Sequence, residues 1–287
     1  MKKEVTVLSL FDGKSCGRIA LERAGISVKK YYSSEIDKFA IQVSENNYPD
    51  IERFGDVTKW REWNINWSEI DLIIAGSPCQ GFSFAGKQLN FDDPRSALFF
   101  EFLDICFHLS EHNPKMKFLL ENVKMKKECQ DVISEKLGVQ PIEINSNLVS
   151  AQNRKRLYWT NIPNITQPED KGILLKDILE NEVEDKFYLS EKAKDYMSRL
   201  RNGKPRWEFH TNPLNGKSAC LTANMFKGVP YGVIKEKMRK LTPIECERLQ
   251  TVPDNYTDCV SNSQRYKMLG NGWTIDVIAH IFKNLYL

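Results

Sequence analysis

Asp71-Leu72-Ile73-Ile74-Ala75-Gly76-Ser77-Pro78-Cys79-Gln80-Gly81-Phe82-Ser83 is the stretch from which the fold is read. Residues 72–75 are apolar without a break, as a short strand must be when both faces of its sheet are covered. Gly76 and Pro78 interrupt that pattern, so Cys79 is delivered just past a strand end. This position suits a nucleophile, although a cysteine without context is more often a small buried packing residue.

The same texture recurs on either side. Residues 5–10, 30–34, 117–120, 142–145 and 157–161 read as further short strands. Residues 18–24, ended by Gly25, and 38–46, stopping before Pro49, carry helical patterns. A longer helix is predicted from Pro94, with Leu98, Phe99, Phe102, Ile105, Cys106 and Leu109 at helical spacing, until His112-Asn113-Pro114 ends it. Strands alternating with helices predict an α/β fold with a doubly wound, mostly parallel, Rossmann-like sheet. From about Pro163 the segments become short and polar, broken by Gly203, Pro205, Pro213, Gly216, Gly228, Pro230 and Gly232, and no regular structure is predicted. Thr242-Pro243-Ile244-Glu245 is a helix start. Residues 274–285, apolar at Ile275, Ile278, Ile281, Phe282 and Leu285, predict a last helix that closes back on the sheet.

The chain has 287 residues, 41% hydrophobic and 28% charged, a globular rather than a disordered composition. No apolar run reaches membrane-spanning length and the amino end carries no cleavable leader, so an intracellular protein is expected. Seven cysteines, an odd number without a CxxC pair, argue against a disulfide framework and a structural zinc site. The net charge of +3 is unevenly placed, because residues 187–240 hold 12 Lys and Arg against 4 Asp and Glu. Tyr188, Tyr196, Trp207, Phe209, Phe226 and Tyr231 are interleaved there. Such a block suits either a nucleic-acid face, bound by neutralising phosphates, or a solvated basic surface.

Other segments carry chemistry. Phe118-Leu119-Leu120 leads into Glu121-Asn122-Val123, a strand bringing a carboxyl group to the sheet edge that Cys79 follows. Gln152-Asn153-Arg154-Lys155-Arg156 sets two arginines two apart, on one face if the segment is extended. A thiol, an acid and guanidinium groups make an addition site for an electron-poor ring. At the amino end, Leu8-Ser9-Leu10-Phe11-Asp12-Gly13-Lys14-Ser15-Cys16-Gly17 puts Gly13 and Gly17 between the first strand and helix, and Glu35 ends the second strand. A glycine-containing first turn, with an acid about 20 residues later to accept from ribose hydroxyls, is how open α/β sheets bind nucleotide-like ligands. The loop is not GxGxxG, which disfavours a dinucleotide.

In this order the segments resemble the cytosine-C5 DNA methyltransferase family, of compact bacterial and phage type. Arg239-Lys240-Leu241-Thr242-Pro243-Ile244-Glu245-Cys246-Glu247-Arg248-Leu249-Gln250 resembles its late helix, and Gly270-Asn271-Gly272-Trp273 its closing motif. The likeness runs along the whole chain except residues 163–238. It implies a catalytic and cofactor-binding domain of residues 1–162 plus 239–287, and a small target-recognition region at 163–238. The cofactor implied is S-adenosylmethionine, without a metal: Phe11 and Ile36 against the adenine, Glu35 on the ribose and Asp56 on the adenine amino group. Gly13, Val57, Pro78, Leu98, Asn271 and Trp273 would complete that pocket. By itself Asp56 reads as an ordinary turn residue, and core packing explains Leu98 equally well.

The resemblance also implies the chemistry. Cys79 adds to C6 of cytosine, which makes C5 nucleophilic, and Glu121 in its protonated form donates to N3, needing a raised pKa that burial supplies. Arg154 and Arg156 hold the thiolate and the ring carbonyl, or else bind phosphate. Loss of the C5 proton and expulsion of Cys79 then release 5-methylcytosine. Cys16, Cys106, Cys129, Cys220, Cys246 and Cys259 read as packing residues, and His108, His112, His210 and His280 receive no chemistry.

A stacked cytosine hides C6, so the base must leave the double-stranded DNA helix, with Gln80 and Ser83 at the gap. Ala219-Cys220-Leu221-Thr222-Ala223-Asn224 resembles a short segment of the family's recognition region, making Thr222 a DNA contact, although the family usually has Thr where Cys220 stands and a Ser-containing motif where Gly272 stands. Arg199, Arg201 and Arg206 are candidate base readers. A restriction endonuclease as companion, and the cytoplasm or nucleoid of a prokaryotic or phage-infected cell, are implied by the same likeness. The alternatives are a tRNA cytosine-C5 methyltransferase and a catalytically idle DNA-binding paralogue.

Overall fold

A computed structural model describes residues 4–76, 97–210 and 212–286. Pro78, Cys79, Gln80 and Ser83, and the helix start expected at Pro94, lie outside the described residues. The chain divides into two compact units, one of Met1–Ile144, Lys155–Gln167 and Val277–Leu287, the other of Asn145–Arg154 and Pro168–Asp276.

The first unit is built on β1 (Glu4–Leu10), α1 (Cys16–Arg23), β2 (Ser27–Ser34), α2 (Lys38–Asn47), β3 (Glu52–Arg53), β4 (Leu72–Ala75), α3 (Ala97–His112), β5 (Lys117–Val123), α4 (Lys127–Leu137), β6 (Ile142–Asn145) and β7 (Lys155–Thr160). The strands form one sheet in the order β3-β2-β1-β4-β5-β7-β6. Adjacent pairs from β3 to β5 are parallel, and β7 runs antiparallel to β5. Six of the seven β1 residues and all four of β4 are buried, the double-sided burial that the unbroken apolar run predicts. Leu8, Leu10, Ile73, Ala75, Phe99, Phe102, Leu120 and Trp159 belong to one apolar core. Asp37 starts α2 by accepting from the backbone N–H groups of Phe39 and Ala40, and Gly138, at φ 68°, closes α4.

Gly17 shows how closely α1 lies on the sheet. A Cβ there would sit 2.1 Å from Ile74 Cδ1 and 2.8 Å from the Tyr31 hydroxyl, so no larger residue fits without moving them.

The second unit contains little regular structure: α5 (Glu191–Ser198), α6 (Trp207–His210), α7 (Pro243–Leu249), α8 (Asn262–Asn271) and two ribbons of two-residue strands. Leu189, Met197, Trp207 and Val233 form a small core. α7 starts with a capping box, Thr242 accepting from the Glu245 N–H and Glu245 from the Thr242 N–H. Two buried ion pairs, Arg239–Glu245 at 2.6 Å and Arg265–Glu247 at 3.1 Å, brace it.

These compact units follow other bounds than the division at 163 and 239. Residues 239–276 pack with the second unit, where Arg239 binds Glu245 and the Tyr266 hydroxyl donates to the Leu241 carbonyl. Residues 145–154 join it through the bridge of Gln152 to Ser218. The last helix, α9 (Ile275–Phe282), starts one residue later than the sequence pattern predicts. Among the described residues no helix is long and apolar enough to cross a membrane.

Candidate active site

Strand register lines up the expected residues of the first unit. Leu10 is level with Ser34 and with Ala75, and Ala75 is level with Leu120. The following residues, Phe11, Glu35, Gly76 and Glu121, therefore stand in one row across four adjacent strands. They mark the carboxyl edge, the side on which open α/β sheets bind ligands.

The loop leaving β1 is tightly held. Phe11 and Ser15 adopt φ of 56° and 62°, a left-handed conformation costing a side-chain-bearing residue roughly 1–3 kcal/mol, and Gly13 takes φ 58°. Asp12 pins this loop. Its carboxylate, buried beneath β1 and β2, accepts hydroxyl bonds from Ser9 (2.5 Å), Ser15 (2.7 Å), Tyr31 (2.8 Å) and Ser33 (3.0 Å). Burial pushes the Asp12 carboxyl above the usual range, against the pull of those four bonds. Lys14 is buried as well and donates to Cys16 Sγ at 3.3 Å. The resemblance gives Asp12 no role; its cue in the sequence is an acid two residues past a buried strand with serines three residues away on both sides.

Glu35 closes the same corner. One carboxylate oxygen accepts from the Gly13 N–H at 2.8 Å, the other from the Ile36 and Asp37 N–H groups at 2.7 and 2.8 Å. Ile36 beside it is 75% exposed, an unusual state for an isoleucine. Asp56 is exposed and caps the turn Val57–Glu62, accepting from the Thr58 N–H at 3.0 Å and the Thr58 hydroxyl at 2.9 Å; these bonds hold its carboxyl below the ordinary value. Val57 is buried, and Phe11 and Leu98 pack partly buried against the core.

At the other end of the row, β5 and β7 pair with Glu121 opposite Tyr158 and Val123 opposite Arg156. Glu121 and Arg156 are thus diagonal neighbours on one face. Arg156 Nε donates to Glu121 Oε1 at 3.0 Å, with the two side chains only 14% and 10% exposed.

Arg154 precedes β7, which begins at Lys155, and belongs to the second unit. Its guanidinium is buried and donates to the carbonyls of Leu221 (3.0 Å), Gly270 (3.2 Å) and Gly272 (2.8 Å), and to Cys220 Sγ at 3.2 Å. Gln250 Nε2 reinforces the tie by donating to the carbonyls of Leu269 and Gly272, while Gln152 Oε1 accepts from the Leu221 N–H. Gly270 permits the approach: a Cβ there would stand 2.1 Å from the Thr222 carbonyl carbon. Thr222 and Asn271 are exposed and Trp273 is half-buried. Cys220, a departure from the family pattern, here serves as a hydrogen-bond acceptor.

The three expected base readers differ. Arg199 binds Asp195 at 2.7 Å, and Arg206 stacks over Tyr196 at 4.7 Å and donates to the Arg199 carbonyl. Arg201 is exposed at the turn of a hairpin, Leu200–Arg201 paired with Lys204–Pro205, whose Asn202 and Gly203 both take positive φ. Asn-Gly is the favoured two-residue hairpin turn.

The seven-stranded, mostly parallel sheet is shared with solved methyltransferase structures. Spodoptera frugiperda DNMT2, in a mutant form, superposes with a TM-score of 0.72 at 21% identity over 99% of this chain and 100% of its own. The Entamoeba histolytica methyltransferase EhMeth gives 0.72 at 18% identity over 99% and 98%. The chain belongs to the C-5 cytosine-specific DNA methylase family, whose model matches residues 5–287. It is 34% identical to the type II methyltransferase M1.ScrFI of Lactococcus lactis subsp. cremoris, over 97% of this chain and 77% of that protein. M.HpaII of Haemophilus parainfluenzae is 32% identical over 97% and 88%, and M.HhaI of Haemophilus parahaemolyticus 30% identical over 97% and 93%.

Proposed function

We propose that this chain methylates C5 of a cytosine flipped out of double-stranded DNA, with Cys79 as the nucleophile. The observation that carries the reading is the Glu121–Arg156 pair, held at 3.0 Å in a largely buried setting in the same row as Glu35 and Gly76. Gly76 matters because Cys79 follows it by three residues in the chain. An acid and a fixed guanidinium on the sheet edge from which the chain runs on to Cys79 suit addition of a thiol to a pyrimidine ring.

The carboxyl edge also suits an adenosyl ligand. Glu35 is a carboxylate fixed by three backbone N–H groups, and the exposed Ile36 next to it offers an apolar surface for a purine. Glu35, Ile36, Phe11 and Asp56 would hold S-adenosylmethionine, which supplies an electrophilic methyl group when bound. The Cys79 thiolate forms a bond to C6, and N3 takes a proton by way of Glu121, which is ion-paired with Arg156 in the free chain and so acquires that proton from water as the base enters, leaving no buried charge on the ring. Arg156 orients the Glu121 carboxyl group. Once C5 has gained the methyl group, its proton passes to water, the C6–S bond breaks and the thiolate departs, and N3 returns its proton to Glu121.

The second unit is assigned to DNA, with Arg201 as first base reader and Thr222 at the backbone. The type II names of the relatives support a restriction-modification setting with a companion nuclease. Nucleoside analysis after separate incubation of duplex DNA and of tRNA with chain and cofactor tests the reading. 5-Methylcytosine in DNA is expected; methylation confined to tRNA, or absent from both, would overturn it.

A further inference from the structure

We propose that His108, Glu111 and His112, on the outer face of α3, bind one late first-row divalent transition-metal ion such as Zn²⁺, Ni²⁺ or Cu²⁺. Positions i, i+3 and i+4 of a helix share one face. One potential ligand atom from each of the three lies within 4.8 Å of the others. At bond lengths of about 2.0–2.1 Å, ligand atoms of a tetrahedral ion stand about 3.3 Å apart, so a modest side-chain rotation completes the contact. Two imidazoles and one carboxylate select this metal class over Mg²⁺ or Ca²⁺, and water would fill the remaining positions.

The two imidazoles are already oriented. The His108 ring packs against Trp60 at 5.2 Å and meets Trp67 edge-on at 4.8 Å and 89°. His112 Nδ1 lies 2.8 Å from the His108 carbonyl, which can only accept. Nδ1 therefore carries the proton, and Nε2 keeps the lone pair a metal needs. Arg61, the nearest cation from the packed turn Val57–Glu62, is engaged by Asp104 at 3.0 Å and Glu101 at 3.6 Å.

The cluster sits away from the candidate active site. α3 ends at His112, and Asn113 donates to the Ile70 carbonyl just ahead of β4, so the cluster lies at the amino-terminal edge of the sheet. A metal there would stabilise the fold by mass action without touching the chemistry.

The test uses the full chain stripped with chelator and titrated with NiCl₂ or CuSO₄ while tryptophan fluorescence is followed, since Trp60 and Trp67 flank His108. Saturable quenching with a stoichiometry of one and a rise in Tm are expected. His112→Gln should weaken the apparent affinity at least 10-fold and Glu111→Gln less, both with unchanged Tm when metal-free. MgCl₂ should have no effect. Quenching that does not saturate, or that survives unaltered in His112→Gln, would overturn the proposal.

Discussion

Replacing Arg154 by lysine separates two roles that the sequence leaves joined. In the structure the guanidinium spans three carbonyls, Leu221, Gly270 and Gly272, at 2.8–3.2 Å from a buried position. One ammonium cannot occupy the places of both terminal nitrogens, so Arg154→Lys leaves one or two of these acceptors without their donor. A bond from a charged group contributes about 1.5–3 kcal/mol, so the expected loss is roughly 2–5 kcal/mol of unfolding free energy. That is a large share of the roughly 5–15 kcal/mol typical of a domain. Arg156→Lys, by contrast, keeps a positive charge opposite Glu121 while disturbing the bonds to Glu121 and the Lys155 carbonyl, and should cost about 1–3 kcal/mol of stability while slowing methyl transfer much more. Urea denaturation and single-turnover methylation, measured on both variants at a temperature where each is folded, give the comparison. If Arg154→Lys left stability within about 0.5 kcal/mol of wild type and yet lowered the chemical rate as Arg156→Lys does, Arg154 would be acting on substrate rather than tying these three carbonyls together.

Glu121→Gln should lower the single-turnover rate by about 10²–10⁴, the usual contribution of one general acid, with little change in cofactor affinity; an unaltered rate removes Glu121 from the mechanism. Glu35→Gln and Asp56→Ala are each expected to weaken S-adenosylmethionine binding by about 1–3 kcal/mol in calorimetric titration without DNA, and unchanged dissociation constants for both would sink the proposed pocket. Arg201→Ala should relax selection at one base of the target by about 1–3 kcal/mol in methylation sequencing of a randomised duplex pool. Arg206→Ala, which removes a stacked partner of Tyr196, should affect all sequences alike; the opposite pattern would move base reading from Arg201 to Arg206.

The sheet was legible because its strands are short apolar runs stopped by Gly, Pro or an acid, and double-sided burial needs no alternation to be recognised. Glu121 was legible for the same reason, being the first polar residue after such a run, and Glu35 because it stands about 20 residues after the glycine-containing first turn. α4 (Lys127–Leu137) was not, because only Cys129, Ile133 and Ser134 of it are buried and five of the other eight residues are charged. The hairpin at Asn202-Gly203 carried its turn signal, but strands of two residues give no alternation to go with it. The bounds of the second unit depend on contacts remote in sequence, such as Gln152 with Ser218 and Gln250. Asp12 illustrates a further limit: its four hydroxyl partners come from the loop and two strands, and only the fold collects them.

The central claim, a thiol mechanism at Cys79, is tested most directly by trapping the enzyme on DNA. A pool of duplexes in which cytosine carries fluorine at C5 has no C5 proton to lose, so the C6–S bond cannot be released after methyl transfer. In the presence of S-adenosylmethionine, mass spectrometry should find a one-to-one covalent protein–DNA adduct mapping to Cys79, and Cys79→Ala should bind cofactor but form no adduct. An adduct on another cysteine, or none from a chain that binds cofactor and methylates ordinary DNA, would contradict the account.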